Sequence, residues 1–246
     1  MKEPDMMKTI AATTLALACA GAGAQVTVFS TDFNGALAPQ IAPGTALLEG
    51  VQGYAGLGPA AAPFSGTFLR NATGNAVTLS LAGLPAHTTL SLSLLFAAID
   101  SLDGTGSFPA GDFLKITLDG TQIFRESFAN AVINQIQSYV PPAGVELARH
   151  VDLGFQGPGG FFTDSAYDFG ADPQFAGIAH SASTAVLSFV IEGEGIQSLD
   201  DESWAMDNLK VSINADGTPP IPEPETYALM LAGLGVLGWV ARRRRH

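Results

Sequence analysis

The residues of this chain best equipped for chemistry are carboxylates. Asp200, Asp201, Glu202 and Asp207 crowd one short stretch, and Asp32 lies near the other end of the same long segment. Calcium takes six to eight oxygens, mixing carboxylates with backbone and amide carbonyls, and acidic loops around these residues could supply them. No D-x-D-x-D-G calcium loop is present, and Asp-Gly or Asp-Asp steps also serve as solvated turns. Asp207 carries the most weight, because it interrupts the apolar run Trp204-Ala205-Met206-Asp207-Asn208-Leu209. A carboxylate placed there needs a cation or a hydrogen-bond donor. Trp204 and Tyr167 are rings on which a sugar face could stack, with core packing as the competing reading of Trp204. Glu192 and Glu194 alternate onto one strand face, as paired glycosidase carboxylates can, although any polar outer face gives the same pattern.

Other catalytic signatures are missing. There is no H-E-x-x-H, no G-x-S-x-G and no P-loop, and Gly157 to Gly160 lacks the lysine and helix of a phosphate cradle. His87, His150 and His180 are scattered through loop-like contexts. The expectation is a protein that is not an enzyme and holds no organic cofactor. Between Gln25 and Pro219 the basic residues are Arg70, Lys115, Arg125, Arg149 and Lys210. They stand against 19 of the 23 carboxylates, and five minus nineteen leaves a net charge of −14. Such a surface repels nucleic acid and anionic lipid and suits divalent cations or neutral glycans.

The elements that must position these groups are strands. Val26–Phe29, Val77–Leu81, Leu90–Phe96 and Leu187–Ile191 show period-two alternation. Phe113–Leu118 and Thr121–Phe124 flank Asp119-Gly120, a dipeptide suited to the positive φ angles of a type I′ turn, which predicts a hairpin. Trp204–Ile213 is the final strand. A short helix is expected around Ala129–Gln137, and the glycine-rich stretch Gly154–Gly160 reads as a rim loop. Many short strands between Gly, Pro and Asp clusters predict an all-β, antiparallel β-sandwich of jelly-roll type spanning residues 25–218.

Both ends of the chain carry addresses. After Lys8 a run of apolar and small residues, Ile10 to Cys19, leads to Ala22-Gly23-Ala24, an A-x-A pattern before Gln25. Residues 1–24 therefore read as a signal peptide for signal peptidase, with Met6 or Met7 as alternative starts. Cys19, the single cysteine, falls inside it, so the mature chain has neither disulfide nor thiol chemistry. In residues 219–246, Pro222-Glu223-Pro224 precedes an apolar run from Tyr227 to Ala241, followed by Arg242, Arg243, Arg244 and Arg245. The run spans about 22 Å as a helix, short of the ~30 Å hydrocarbon core. The arginines can snorkel to the headgroups and hold this end in the cytoplasm. The expected arrangement is a single transmembrane helix in the inner membrane, with the body of the protein outside the cytoplasm.

The order of Pro222-Glu223-Pro224, a short glycine-containing apolar helix and Arg242–Arg245 resembles the PEP-CTERM sorting signal of exported proteins. That resemblance implies processing by an exosortase in a Gram-negative bacterium, then delivery to the cell surface or to an exopolysaccharide or biofilm matrix. A structural or adhesive role follows from it, with carbohydrate binding as the alternative and glycoside processing as the third reading. Extracellular polysaccharide is the expected partner.

Asp100-Ser101-Leu102-Asp103-Gly104 through Asp112-Phe113, together with Asp200 to Asn208, resemble the concanavalin-like and carbohydrate-module-like sandwiches. In such folds a calcium ion often ties the first strand to the last. The resemblance implies such a structural site at Asp32, in Thr31-Asp32-Phe33-Asn34-Gly35, and Asp207.

Overall fold

The computed structural model describes residues 25–105, 111–131, 133–155, 162–195 and 197–215. Thirteen strands run through them: β1 (Gln25–Thr31), β2 (Ile41–Ala42), β3 (Leu47–Gly50), β4 (Thr67–Ala72), β5 (Val77–Ala82), β6 (His87–Asp100), β7 (Phe113–Leu118), β8 (Thr121–Ser127), β9 (Glu146–Val151), β10 (Asp164–Asp168), β11 (Ile178–Ala179), β12 (Thr184–Glu192) and β13 (Glu202–Ala215). Every pairing between them is antiparallel.

The strands form two sheets. The smaller has the order β2-β5-β12-β7-β8, and the larger follows the path β3-β4-β13-β6-β10-β9. The larger is organised by two 14-residue strands, β6 and β13, each long enough to take two partners in succession along its outer edge. β13 pairs β4 through Ser203–Met206 and β1 through Leu209–Asn214; β6 pairs β10 near its end and β11 near its start. The chain crosses between sheets at β1–β2, β2–β3, β4–β5, β5–β6, β6–β7, β8–β9, β11–β12 and β12–β13. The β-sandwich expected from the alternation is present.

Alternation explains the packing between the sheets. Val77, Leu79 and Leu81 of β5, Leu114, Ile116 and Leu118 of β7, and Ala185, Leu187, Phe189 and Ile191 of β12 point inward. They meet Leu90, Leu92, Leu94, Phe96 and Ala98 of β6 and the inward side chains of β13. Along β13 the parity changes: Trp204 and Met206 face this core, and so do Leu209, Val211 and Ile213. A β-bulge produces the change. Asp207 pairs with Leu95 while Lys210 pairs with Ser93, and Asn208 takes a left-handed φ of 50°.

A second core lies on the other face of the larger sheet. Val51, Tyr54 and Phe64, from the segment between β3 and β4, cover Phe68, Leu95, Ala97, Ile99, Ala166 and Ala205 together with Leu153 and Phe155. The Tyr54 hydroxyl donates to the Ala98 carbonyl at 3.1 Å. The end of β6 is therefore buried on both faces, which accounts for its unbroken apolar run. Both cores lie within the compact unit Gln25–Thr218.

The hairpin is as expected: β7 and β8 pair across Asp119-Gly120, whose φ angles are 50° and 79°. The expected helix at Ala129–Gln137 is corrected. Its described residues form turns and a single β-bridge from Ile136 to Thr105, held by polar side chains. Asn130 donates to the Ala98 carbonyl at 2.9 Å, and Gln135 takes the Gly104 amide at 3.3 Å. These contacts satisfy the segment by tertiary bonding instead of an i to i−4 ladder.

No helix of the described residues is long and apolar enough to cross a membrane. The expected signal helix, the transmembrane helix, the Pro222-Glu223-Pro224 motif, the four arginines and most of the Gly154–Gly160 loop lie outside the described residues.

Candidate functional site

The first and last described strands pair, Thr31 opposite Leu209, and this brings Asp32 beside the Asp207–Asn208 step despite 175 positions of sequence. The two carboxylates have different surroundings. Asp32 is exposed, closes a turn by accepting the Asn34 amide at 3.2 Å, and is held below the usual carboxylate range chiefly by that bond. Asp207 is fully buried. Its Oδ1 accepts the Asn208 amide at 2.6 Å and its Oδ2 the Ser65 amide at 3.2 Å. Burial nevertheless pushes its carboxyl up to about 6. The need for a partner read from the sequence is thus met by two backbone donors. Asn208 adds bonds to the carbonyls of Ala62 and Pro63, so the bulge pins the segment that covers the second core.

Beside Asp32 and Asn208 opens a cleft of about 710 Å³, lined also by Ser93, Asp168, Lys210 and Ala62. Asp168 accepts the Gly170 amide at 2.9 Å, and burial raises its carboxyl while Lys210 opposes the rise. The rings named from the sequence lie elsewhere. Trp204 and Tyr167 are fully buried, so neither presents a face on which a sugar could stack. Trp204 packs 6.3 Å from Phe96, ring centre to ring centre. Glu192 accepts from Arg125 Nε at 2.8 Å and pairs with Lys115 Nζ at 3.2 Å. The Arg125 bond first, and Lys115 after it, hold its carboxyl below the usual range.

A different set of carboxylates converges where the β6–β7 connection meets the start of β13. Asp103, Asp112 and Glu202 are all buried, and one oxygen from each lies within 4.8 Å of one from each of the others. Each spends an oxygen on a hydrogen bond: Asp103 Oδ1 accepts from Gln135 at 2.5 Å, Asp112 Oδ2 takes the Asp103 amide at 2.7 Å, and Glu202 Oε1 accepts from Gln197 at 2.7 Å. Burial raises all three carboxyls, Asp112 to about 6 and Glu202 to about 8. Of these, Glu202 was readable as a candidate oxygen donor. Asp103 and Asp112 were visible only as part of an acidic pattern, because the two ends of the β6–β7 connection and the start of β13 must come together before they meet Glu202.

At the end of the chain the sequence itself decides. Residues 220–245 match the model of the PEP-CTERM protein-sorting motif. The chain carries a PEP-CTERM sorting signal. Pro222, Glu223, Pro224 and Arg242–Arg245 fall within the match, and a PEP-CTERM signal implies export, membrane-associated sorting and processing by an exosortase.

Solved structures similar to this chain include the CBM22-2 xylan-binding domain of Paenibacillus barcinonensis Xyn10C. The identity is 16%, over 75% of this chain and 98% of that one, with a TM-score of 0.34. A family 35 carbohydrate-binding module from Clostridium thermocellum aligns at 14% identity over 76% and 97%, with a TM-score of 0.31. The family GH115 4-O-methyl-alpha-glucuronidase BtGH115A aligns at 11% identity and a TM-score of 0.34; the match takes in 76% of this chain but spans only 17% of the glucuronidase. No curated protein matches the chain.

Proposed function

We propose that this chain is an exported β-sandwich, delivered by exosortase processing to the cell surface or extracellular matrix, with a structural or adhesive role among exopolysaccharides in a Gram-negative biofilm. The observation that carries this reading is the sorting motif at residues 220–245, which follows a self-contained sandwich. The sandwich suits such a post. Its cysteine-free body depends on no redox partner, and its acidic surface keeps it apart from nucleic acid and anionic headgroups. Its work on this reading is binding and not bond cleavage: Glu192 is committed to Arg125 and Lys115 as an ionised partner and is a poor proton donor.

The test is replacement of Pro222-Glu223-Pro224 by alanines. The expected result is a full-length precursor retained in the membrane fraction. Processing and release at the wild-type rate would overturn the reading.

The second reading, a carbohydrate-binding module, is favoured by the cleft between Asp32, Asp168 and Lys210, whose mixed donors and acceptors suit neutral sugar hydroxyls. Retention of the ectodomain on polysaccharide columns, cut at least tenfold by Asp168→Ala or Lys210→Ala with unchanged melting, would establish it. Equal retention of wild type and both variants would exclude that cleft.

A further inference from the structure

The cluster of Asp103, Asp112 and Glu202 is hard to account for as a set of structural hydrogen-bond acceptors. Asp112 and Asp103 bind one another's loop and Gln135, but Glu202 Oε2 is buried with no hydrogen-bond partner among the described residues, on a side chain only 1% exposed. An ionised carboxylate in that position is costly unless something of opposite charge meets it. No arginine or lysine of the described residues forms an ion pair with any of the three. Arg70, on neighbouring β4, is taken up by Glu49, Asp100, Ser203 Oγ and the Leu199 carbonyl. The charged groups that act on Glu202 are Asp112, Asp103 and Asp201, all acidic.

We propose that Asp103, Asp112 and Glu202 form a buried binding site for one calcium ion, which fastens the β6–β7 connection to the start of β13.

Geometry supports a shared ion. Two oxygens bound to one calcium at about 2.4 Å can stand no more than about 4.8 Å apart, and the three carboxylates meet that limit pairwise. The donor set is made of hard oxygens, without thiol or imidazole, which disfavours zinc and copper. Calcium is preferred over magnesium because irregular loop backbone surrounds the site. A Cβ on Gly193 would lie 2.8 Å from Asp112 Oδ1 and 3.1 Å from the Gly111 carbonyl oxygen. A Cβ on Gly111 would lie 2.8 Å from the carbonyl oxygen of Gly104 and 3.1 Å from that of Asp103. Two glycines thus keep side chains out of a space rimmed by carbonyls. Calcium recruits such groups in a flexible shell, whereas magnesium demands a regular octahedron and retains its waters.

The site is distinct from the Asp32–Asp207 pair, where both Asp207 oxygens already take amides. Its binding chemistry is independent of the sorting reading. The export reading bears only on where the ion is met, since modules outside the cell bind calcium with dissociation constants of roughly 10⁻⁴–10⁻³ M.

The experiment uses residues 25–218, stripped with EDTA and dialysed, and follows melting temperature in millimolar calcium or magnesium. Terbium luminescence is read in parallel. Trp204, the ectodomain's single tryptophan and two residues along β13 from Glu202, serves as sensitiser. The expected result is a calcium-dependent rise of about 5 °C or more, a smaller rise with magnesium, and terbium emission that calcium competes away. Glu202→Gln should melt no lower than wild type in EDTA, because it exchanges a buried carboxyl with an unpartnered oxygen for an uncharged side chain of the same shape, yet should lose the calcium shift and the terbium signal. Asp112→Asn should lose the shift as well, and Asp207→Asn should keep it.

A wild-type protein that shows no calcium shift, and no calcium by elemental analysis before stripping, would overturn the proposal. So would a shift that survives Glu202→Gln, a shift that disappears only in Asp207→Asn, or an equal response to magnesium.

Discussion

Asp164 Oδ2 accepts the backbone N–H of Leu153 at 2.7 Å, so a buried carboxylate holds the chain just beyond β9 against the start of β10. Its Oδ1 accepts the Asp100 amide at 3.1 Å. Two amides do not offset the loss of water, and the nearby carboxylates of Asp100 and Asp152 add to the effect, so the Asp164 carboxyl is pushed up to about 7. An unfolded aspartate titrates near 3.9, so between about pH 4 and pH 7 the folded chain holds a proton that the unfolded chain has lost. The stabilisation is complete below the unfolded value and is lost as pH rises through the folded one. Burial raises Asp207 with the same sign. In EDTA, the ectodomain should melt lower at pH 8 than at pH 5, and Asp164→Asn should flatten that dependence. A melting temperature that climbs over this range would refute the assignment.

Arg70 on β4 draws polar contacts from β3, β6, β13 and the segment before β13. It pairs with Glu49 at 3.0 Å and Asp100 at 3.9 Å, donates to Ser203 Oγ at 2.9 Å and to the Leu199 carbonyl at 2.8 Å, and lies 4.5 Å over the Phe155 ring. Arg70→Met keeps much of the volume but removes the cation. The expected loss is about 3–5 kcal/mol, the scale for breaking one side of a buried ion pair. Urea unfolding would measure it, and a loss under about 1 kcal/mol would show the pair to be solvent-screened.

Legibility in the sequence followed burial. β5, β7 and β12 have one face in the core and one in solvent, so their alternation was readable, and the Asp119-Gly120 step fixed the hairpin. β4 and β10 were not readable, because both of their faces are covered and buried Arg70, Asn71, Asp164 and Ser165 break any apolar pattern. Arg70, Asp164 and Ser165 are tolerated through partners more than ten residues away, and Asn71 through Asn75, four residues on. The same limit governs the sites. Asp207 announced its need for a donor, but nothing in the sequence points to the amide of Ser65 as that donor. Asp103, Asp112 and Glu202 become a cluster only once β6, β7 and β13 are in place.

The hairpin turn offers a test of backbone geometry. Gly120 has φ of 79°, and Asp119 uses Oδ1 to accept the Val186 amide at 2.8 Å, which ties the turn to β12. A β-branched side chain at 120 would be held in the left-handed region at a cost of roughly 1–2 kcal/mol. Gly120→Val should therefore lower stability by about that amount with the fold intact. Unchanged stability would mean that the turn relaxes to another type.

Trp204 separates a binding role from a packing role. It is fully buried opposite Ala98 of β6, and its ring packs near Phe96. Trp204→Ala should cost about 3–5 kcal/mol, the range for emptying a large aromatic from a core, and Trp204→Phe markedly less. Any loss of polysaccharide retention in Trp204→Ala should then track unfolding and be absent in Trp204→Phe at temperatures where that variant is folded. Retention lost in a fully folded Trp204→Phe would instead place the indole in contact with ligand, which its burial between the sheets opposes. Circular dichroism melts run beside the retention assay decide between the two, because a packing residue moves both readouts together and a binding residue moves one.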